Sequence, residues 1–149
     1  MTKAKLKNYT TQVSASRSIS QIEEILATFG AEAIVKEYTA DGRVQELSFK
    51  LDNRVFKLPA NIKGVYKVLY EGKGEYSGKD SMKKRDDQAY RVAWRILKDW
   101  IHAQLSLIHS GQAQPQEIFL PYMYDGRRTL YQKFMEDGKL LGKPSKENK

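Results

Sequence analysis

Between residues 86 and 108, apolar side chains fall at Ala89, Val92, Ala93, Ile96, Leu97, Trp100, Ile101, Leu105 and Ile108. That spacing gathers on one side of a helix and nowhere else, so it predicts a long amphipathic helix from Asp86 to about Ser110-Gly111. Trp100 lies in the middle of the stripe and is expected to be buried, with Trp94 at its edge and more exposed. The opposite face carries Arg91, Arg95, Lys98 and His102 at i, i+4, i+7 and i+11, a basic ridge facing water. Asp87 with Arg91, and Arg95 with Asp99, have the spacing of local ion pairs. Asp86-Asp87 and Glu23-Glu24 are expected in first helical turns, where carboxylates complement the helix dipole.

The remaining pattern is shorter in range. Tyr9, Thr11 and Val13 alternate with polar residues and suggest a short strand. Ser18, with Gln21 three residues on, reads as a capping box opening a helix whose stripe is Ile22, Ile25, Leu26 and Phe29, closed by Gly30. Residues 32–59 read as a three-stranded meander. Ala33 to Thr39 is its first strand and Asp41-Gly42 a tight turn. Leu47, Phe49 and Leu51 alternate with Glu46, Ser48 and Lys50 in the second, Asp52-Asn53 turns the chain, and Arg54 to Leu58 ends at Pro59. Asn61 to Tyr70 has helical spacing. Residues 71–84 hold glycines and lysines with little that is apolar, and read as a flexible surface loop. Pro115 to Phe119 starts a short helix, residues 119–124 are irregular, Asp125-Gly126 turns, and Thr129 caps a last helix through Leu130, Phe134 and Met135.

These elements define an α+β fold, an antiparallel sheet of three to four strands packed against a long amphipathic helix, with short extra helices. Residues 1–8 are expected as a basic flexible arm, 9–137 as a single domain, and 138–149 as a disordered polar tail.

Composition narrows the chemistry. The 149 residues carry 26 Lys and Arg against 18 Asp and Glu, a formal net charge of +8, and no cysteine. Without cysteine there is no disulfide, thiolate nucleophile or cysteine-ligated metal. No apolar run follows the basic start Met1 to Lys7, and no stretch has bilayer length, so a cytoplasmic protein with no membrane partner is expected. Excess positive charge attracts polyanions, and the preferred partner is DNA or RNA, held through its phosphates. The candidate contacts are Lys73, Lys79, Lys83, Lys84, Arg85, Arg91, Arg95 and Lys98, with Arg127 and Arg128 as a second basic point. Tyr76, Tyr90, Tyr122 and Tyr124 are candidate stacking surfaces. An acidic protein surface is the alternative partner, met by a small inhibitor.

No catalytic residue, cofactor or metal is expected. His102 and His109 sit seven apart on one helix, too far for joint ligation. Gly72-Lys73-Gly74 lacks the pattern of a phosphate-cradling loop. A small metal-dependent nuclease is a third reading, and it requires Glu23, Glu46, Asp86 or Asp87 to converge in one cleft.

The order helix, three-stranded meander, lysine loop and long helix resembles a double-stranded RNA-binding domain, with Lys83-Lys84 at the place of that family's phosphate-clamping lysines. The extra segments at 9–13 and 61–70 and the C-terminal extension depart from it. Phe56-Lys57-Leu58-Pro59-Ala60-Asn61, Arg91 through Trp100, and Phe119-Leu120-Pro121-Tyr122-Met123 resemble short proteins of phages and prophages without assigned function. That resemblance implies a bacterial or viral setting and brings no activity with it.

Overall fold

A computed structural model describes residues 5–74 and 79–138, with the side chains of residues 79 and 80 outside that description. In chain order the elements are α1 (Ala15–Thr28), β1 (Ala33–Tyr38), β2 (Val44–Leu51), β3 (Arg54–Lys57), α2 (Ile62–Tyr70), α3 (Lys79–His109), α4 (Pro115–Phe119), a 3-10 turn (Leu120–Tyr122) and α5 (Leu130–Asp137). The three strands form one antiparallel sheet in the order β1-β2-β3. The fold is α+β, as the periodicity requires.

The sheet has one dry and one wet face because its side chains alternate. Leu47, Phe49 and Leu51 of β2 and Phe56 of β3 point inward and are buried. There they meet Ile19, Ile22 and Leu26 of α1, Trp94, Leu97, Ile101 and Leu105 of α3, and Phe119. Phe119 is the aromatic hub, with its ring 5.3 Å from Phe49, 5.6 Å from Phe56 and 6.0 Å from Trp100. The outer face pairs Glu37 with Glu46 and Val35 with Ser48 across β1 and β2, and Lys57 with Ser48 across β2 and β3.

Two turns fix the meander. Asp52 and Asn53 both take positive φ, 52° and 60°, the conformation a two-residue hairpin demands and Asn and Asp tolerate best. The first hairpin is wider than the tight Asp41-Gly42 turn expected. Thr39 N–H bonds to Arg43 O at 2.8 Å, the register shifts between Glu37 and Tyr38, and within the pair only Gly42 has positive φ.

Several local expectations are corrected. Residues 9–13 form no strand: Tyr9 and Thr11 N–H turn back to Leu6 O and Asn8 O, and Asn8 has φ 64°. α1 opens one turn earlier, on Ser14, whose hydroxyl accepts from Arg17 N–H at 3.1 Å. Ser18 lies fully buried inside the helix on the stripe of Ala15 and Ile22. Two serines four apart offer two caps, and the one that leaves Ile19 facing the core prevails. At the other end, Gly30 N–H to Ala27 O and Ala31 N–H to Leu26 O complete the glycine-based closure expected there.

The long helix begins at Lys79, not Asp86, so 79–84 belong to α3. Lysine is a good helix former, Arg85 extends the inward stripe, and the exposed Met82 meets Tyr66 of α2. Asp86-Asp87 therefore lie past the second turn and Glu23-Glu24 in the second half of α1, and neither pair serves a helix N-terminus. The tryptophans are also reversed. Trp94 is wholly buried, whereas Trp100 is half-buried beneath Phe119 and Tyr122. α3 is covered on two flanks, by α1 and α2, as well as beneath, so its buried arc is wider than the stripe alone suggests.

The first described residues lie against α3. Gln88 Nε2 donates to Tyr9 O and Thr11 O, both at 3.1 Å, and Asn8 Nδ2 donates to Asp99 Oδ2 at 2.9 Å. Lys7 reaches the same carboxylate at 3.6 Å. Leu6 enters an apolar recess between α2 and α3, beside Val65, Ala93 and Ile96. The described part of the segment expected as a free arm is thus seated on the domain, and residues 1–4 and 139–149 fall outside the described residues.

Candidate functional site

The cations divide into two populations. On the sheet and its turns, Lys36, Arg43, Lys50, Arg54 and Lys57 each meet a carboxylate, respectively Glu23, Asp87, Glu32, Asp52 and Glu46. The Glu23 contact holds the Lys36 ammonium above its ordinary pKa, and Lys57 holds Glu46 below the usual carboxylate range against its burial. This side of the molecule neutralises itself.

Much of the helical layer does not. Arg17, Lys63, Lys67, Lys73, Lys83 and Lys84 are exposed, and among the described residues none of them forms an ion pair. Arg91 and Arg95 are half-buried and held by neutral groups. Arg91 donates through Nε at 3.0 Å, and through Nη2, to Gln88 Oε1. Arg95 Nη1 donates to Gln21 Oε1 of α1 at 2.6 Å. A glutamine carbonyl orients a guanidinium without cancelling its charge. The expected i, i+4 ion pairs are therefore absent: Asp87 turns to Arg43, and Asp99 serves Lys98 at 3.5 Å, Lys7 and Asn8. Sequence spacing offers such partners, but tertiary neighbours outcompete them because a weak surface pair is easily exchanged.

The sequence-derived candidates thus separate. Lys84, Arg91, Arg95 and Lys98 share the flank of α3 that faces α1, where the exposed Arg17 stands one turn before Gln21. Lys73 and Lys83 lie exposed just before and within the first turns of α3, and α2 adds the exposed Lys63 and Lys67, both of which the sequence reading missed. Their spacing on a short helix four apart was the available signal. The Lys79 side chain and Tyr76 lie outside the described residues. Arg85 is turned inward and only 8% exposed. Its guanidinium donates to Gly74 O at 3.1 Å and Lys73 O at 3.4 Å and covers the Tyr70 ring at 4.8 Å, so it anchors residues 73–74 and does not face an external anion.

At the second basic point, Asp125 Oδ1 accepts from the backbone N–H of Arg127 and Arg128, and Lys133 reaches Asp125 at 2.6 Å. These contacts, Lys133 foremost, hold the Asp125 carboxyl far below its ordinary range. Arg128 pairs with Glu136, which raises its pKa further, and Arg127 alone projects without a carboxylate among the described residues.

The described tyrosines proposed for stacking are occupied. Arg43 covers the Tyr90 ring at 4.8 Å while Tyr90 donates to Val44 O, Tyr122 meets Trp100 edge-on at 5.4 Å, and Lys57 lies over Tyr124 at 5.0 Å.

The four acids do not all converge: Glu46 and Asp86 share one cleft, and Glu23 and Asp87 do not line it. Glu23, Glu46 and Asp87 each bind a different cation, and Asp86 lines a cleft of roughly 560 Å³ that also holds Asp41, Arg43, Glu46 and Lys63. Among the described residues no group of three or more His, Asp and Glu side chains could hold a metal ion. His109 packs edge-on against Phe29 at 5.5 Å, and His102 is exposed. No described helix is long and apolar enough to cross a membrane. No protein-family description, curated protein or solved structure matches the chain.

Proposed function

We propose that this protein is a non-catalytic nucleic-acid-binding module that contacts phosphates through its helical layer. One observation carries the reading: cations on the sheet are matched to carboxylates, while those of α1, α2 and the first half of α3 are exposed or matched to neutral amides. A surface built only for solubility has no reason to segregate its charge in this way, whereas a polyanion-binding face must keep its cations unneutralised. A role in a phage or mobile element is compatible with such a module.

Titration of a labelled 20-mer by fluorescence anisotropy at several salt concentrations tests it. Log affinity should fall by about 0.9 per phosphate neutralised for each tenfold rise in salt on a duplex, and by about 0.7 on a single strand. Replacing Lys63, Lys67, Lys83 and Lys84 by glutamine should flatten the duplex slope by about 3.6. All four are exposed, so the fold should survive. Affinity no better than that of an unrelated protein of equal charge overturns the reading and favours an acidic protein surface as the partner.

A further inference from the structure

The two half-buried arginines of α3 differ from the lysines around them in being fixed. Arg91 spends its Nε and one Nη2 proton on Gln88, and Arg95 spends one Nη1 proton on Gln21. Each guanidinium keeps an edge of two or more N–H donors that no described protein group takes. Positions 91 and 95 are one turn apart, an axial rise of about 6 Å, comparable with the separation of successive phosphates along a strand. Carboxylates in place of the two glutamines would hold the arginines equally well but cancel the charge an anion needs. The amide oxygens of Gln21 and Gln88 are already occupied, the neighbouring Arg17 and Lys84 offer only donors, and Lys98 is paired with Asp99.

We propose that Gln21 and Gln88 are positioning residues that hold Arg95 and Arg91 as two preset forks gripping successive phosphates of one nucleic-acid strand, without reading its bases. This rests on the phosphate-binding reading above and goes beyond it. There the exposed lysines act as point charges; here geometry matters as well as charge. A guanidinium binds a phosphate through two parallel hydrogen bonds, and a lysine cannot. Fixing the fork in advance removes part of the ordering cost of binding.

Exchange of both arginines for lysine separates charge from fork. With two 20-bp DNA duplexes of unrelated sequence, the Arg91→Lys/Arg95→Lys protein should bind about tenfold more weakly than the parent, with an unchanged salt slope. Gln21→Glu, which leaves both arginines in place, should weaken binding and flatten the slope by about one. The parent should bind both duplexes equally within about twofold. Parent-like affinity in the lysine variant, or a tenfold preference between duplexes, overturns the forks while leaving the phosphate-binding reading intact. Absence of salt-dependent binding by the parent removes both. Should the lysine variant fail to fold, Gln21→Glu decides alone: parent-like affinity and slope in that protein overturn the positioning role.

Discussion

Trp94 and Trp100 stand six residues apart on one helix, and the structure gives them unequal tasks. Trp94 is fully enclosed between α3, α1 and the sheet, so its truncation leaves a cavity that close packing cannot refill. Trp94→Ala should cost about 3–5 kcal/mol in urea unfolding, while Trp100→Ala, at a site open on one side, should cost less than half as much. Equal losses would contradict the observed burial. Reading the stripe alone reversed these two residues, because sequence shows where apolar side chains recur and not how many neighbours flank the helix. Arg85 carries the same lesson for charge. In the sequence it is one of three consecutive cations, yet it is buried over Tyr70 and tied to the carbonyls of residues 73 and 74, whereas Lys83 and Lys84 remain exposed. Arg85→Gln should therefore lower the thermal midpoint measurably, and Lys84→Gln should leave it unchanged within error.

At the scale of elements, short-range rules were legible wherever one residue type has one use. Gly30 closes α1, Thr129 caps α5 with Gln132, and Asp52-Asn53 turns β2 into β3. In that turn, Asn53→Gly should be neutral or stabilising, whereas Asn53→Val should cost about 1–2 kcal/mol, since a β-branched residue resists positive φ. What the sequence did not reveal was which elements meet. Gln21 and Arg95 lie 74 positions apart, so their pairing follows from the packing of α1 on α3 and from nothing local. The seating of residues 6–11 on α3 was invisible for the same reason. That seating has a pH signature. Burial works to raise the Asp99 carboxyl, but Asn8, Lys98 and Lys7 outweigh it and hold it below its ordinary value of 3.8. A depressed carboxyl stabilises the folded state above its unfolded pKa, and that contribution is lost as pH falls through the folded one. The Asn8 side-chain amide, followed by NMR, should keep its position above pH 4 and shift with a midpoint below 3.8. A midpoint at or above that value would mean the seating contributes nothing to the carboxylate.

For the molecule as a whole, the fold class was readable because alternation in the meander and helical periodicity in α3 are each tied to one backbone geometry. The net charge was equally plain, but its distribution was not, since neutralisation depends on contacts such as Lys36 with Glu23 and Lys57 with Glu46 that join separate elements. The resulting division, a self-compensated sheet and a largely uncompensated surface over α1, α2 and the first half of α3, also bears on motion through solution. A body whose charge sits on one side has a large dipole moment, and it rotates in the field of a polyanion before touching it. Association should then be fast and strongly slowed by added salt, with dissociation much less affected. Stopped-flow mixing at low and moderate ionic strength measures both rates. The carboxylates that silence the sheet would thus act as a rudder, turning the helical face forward during approach.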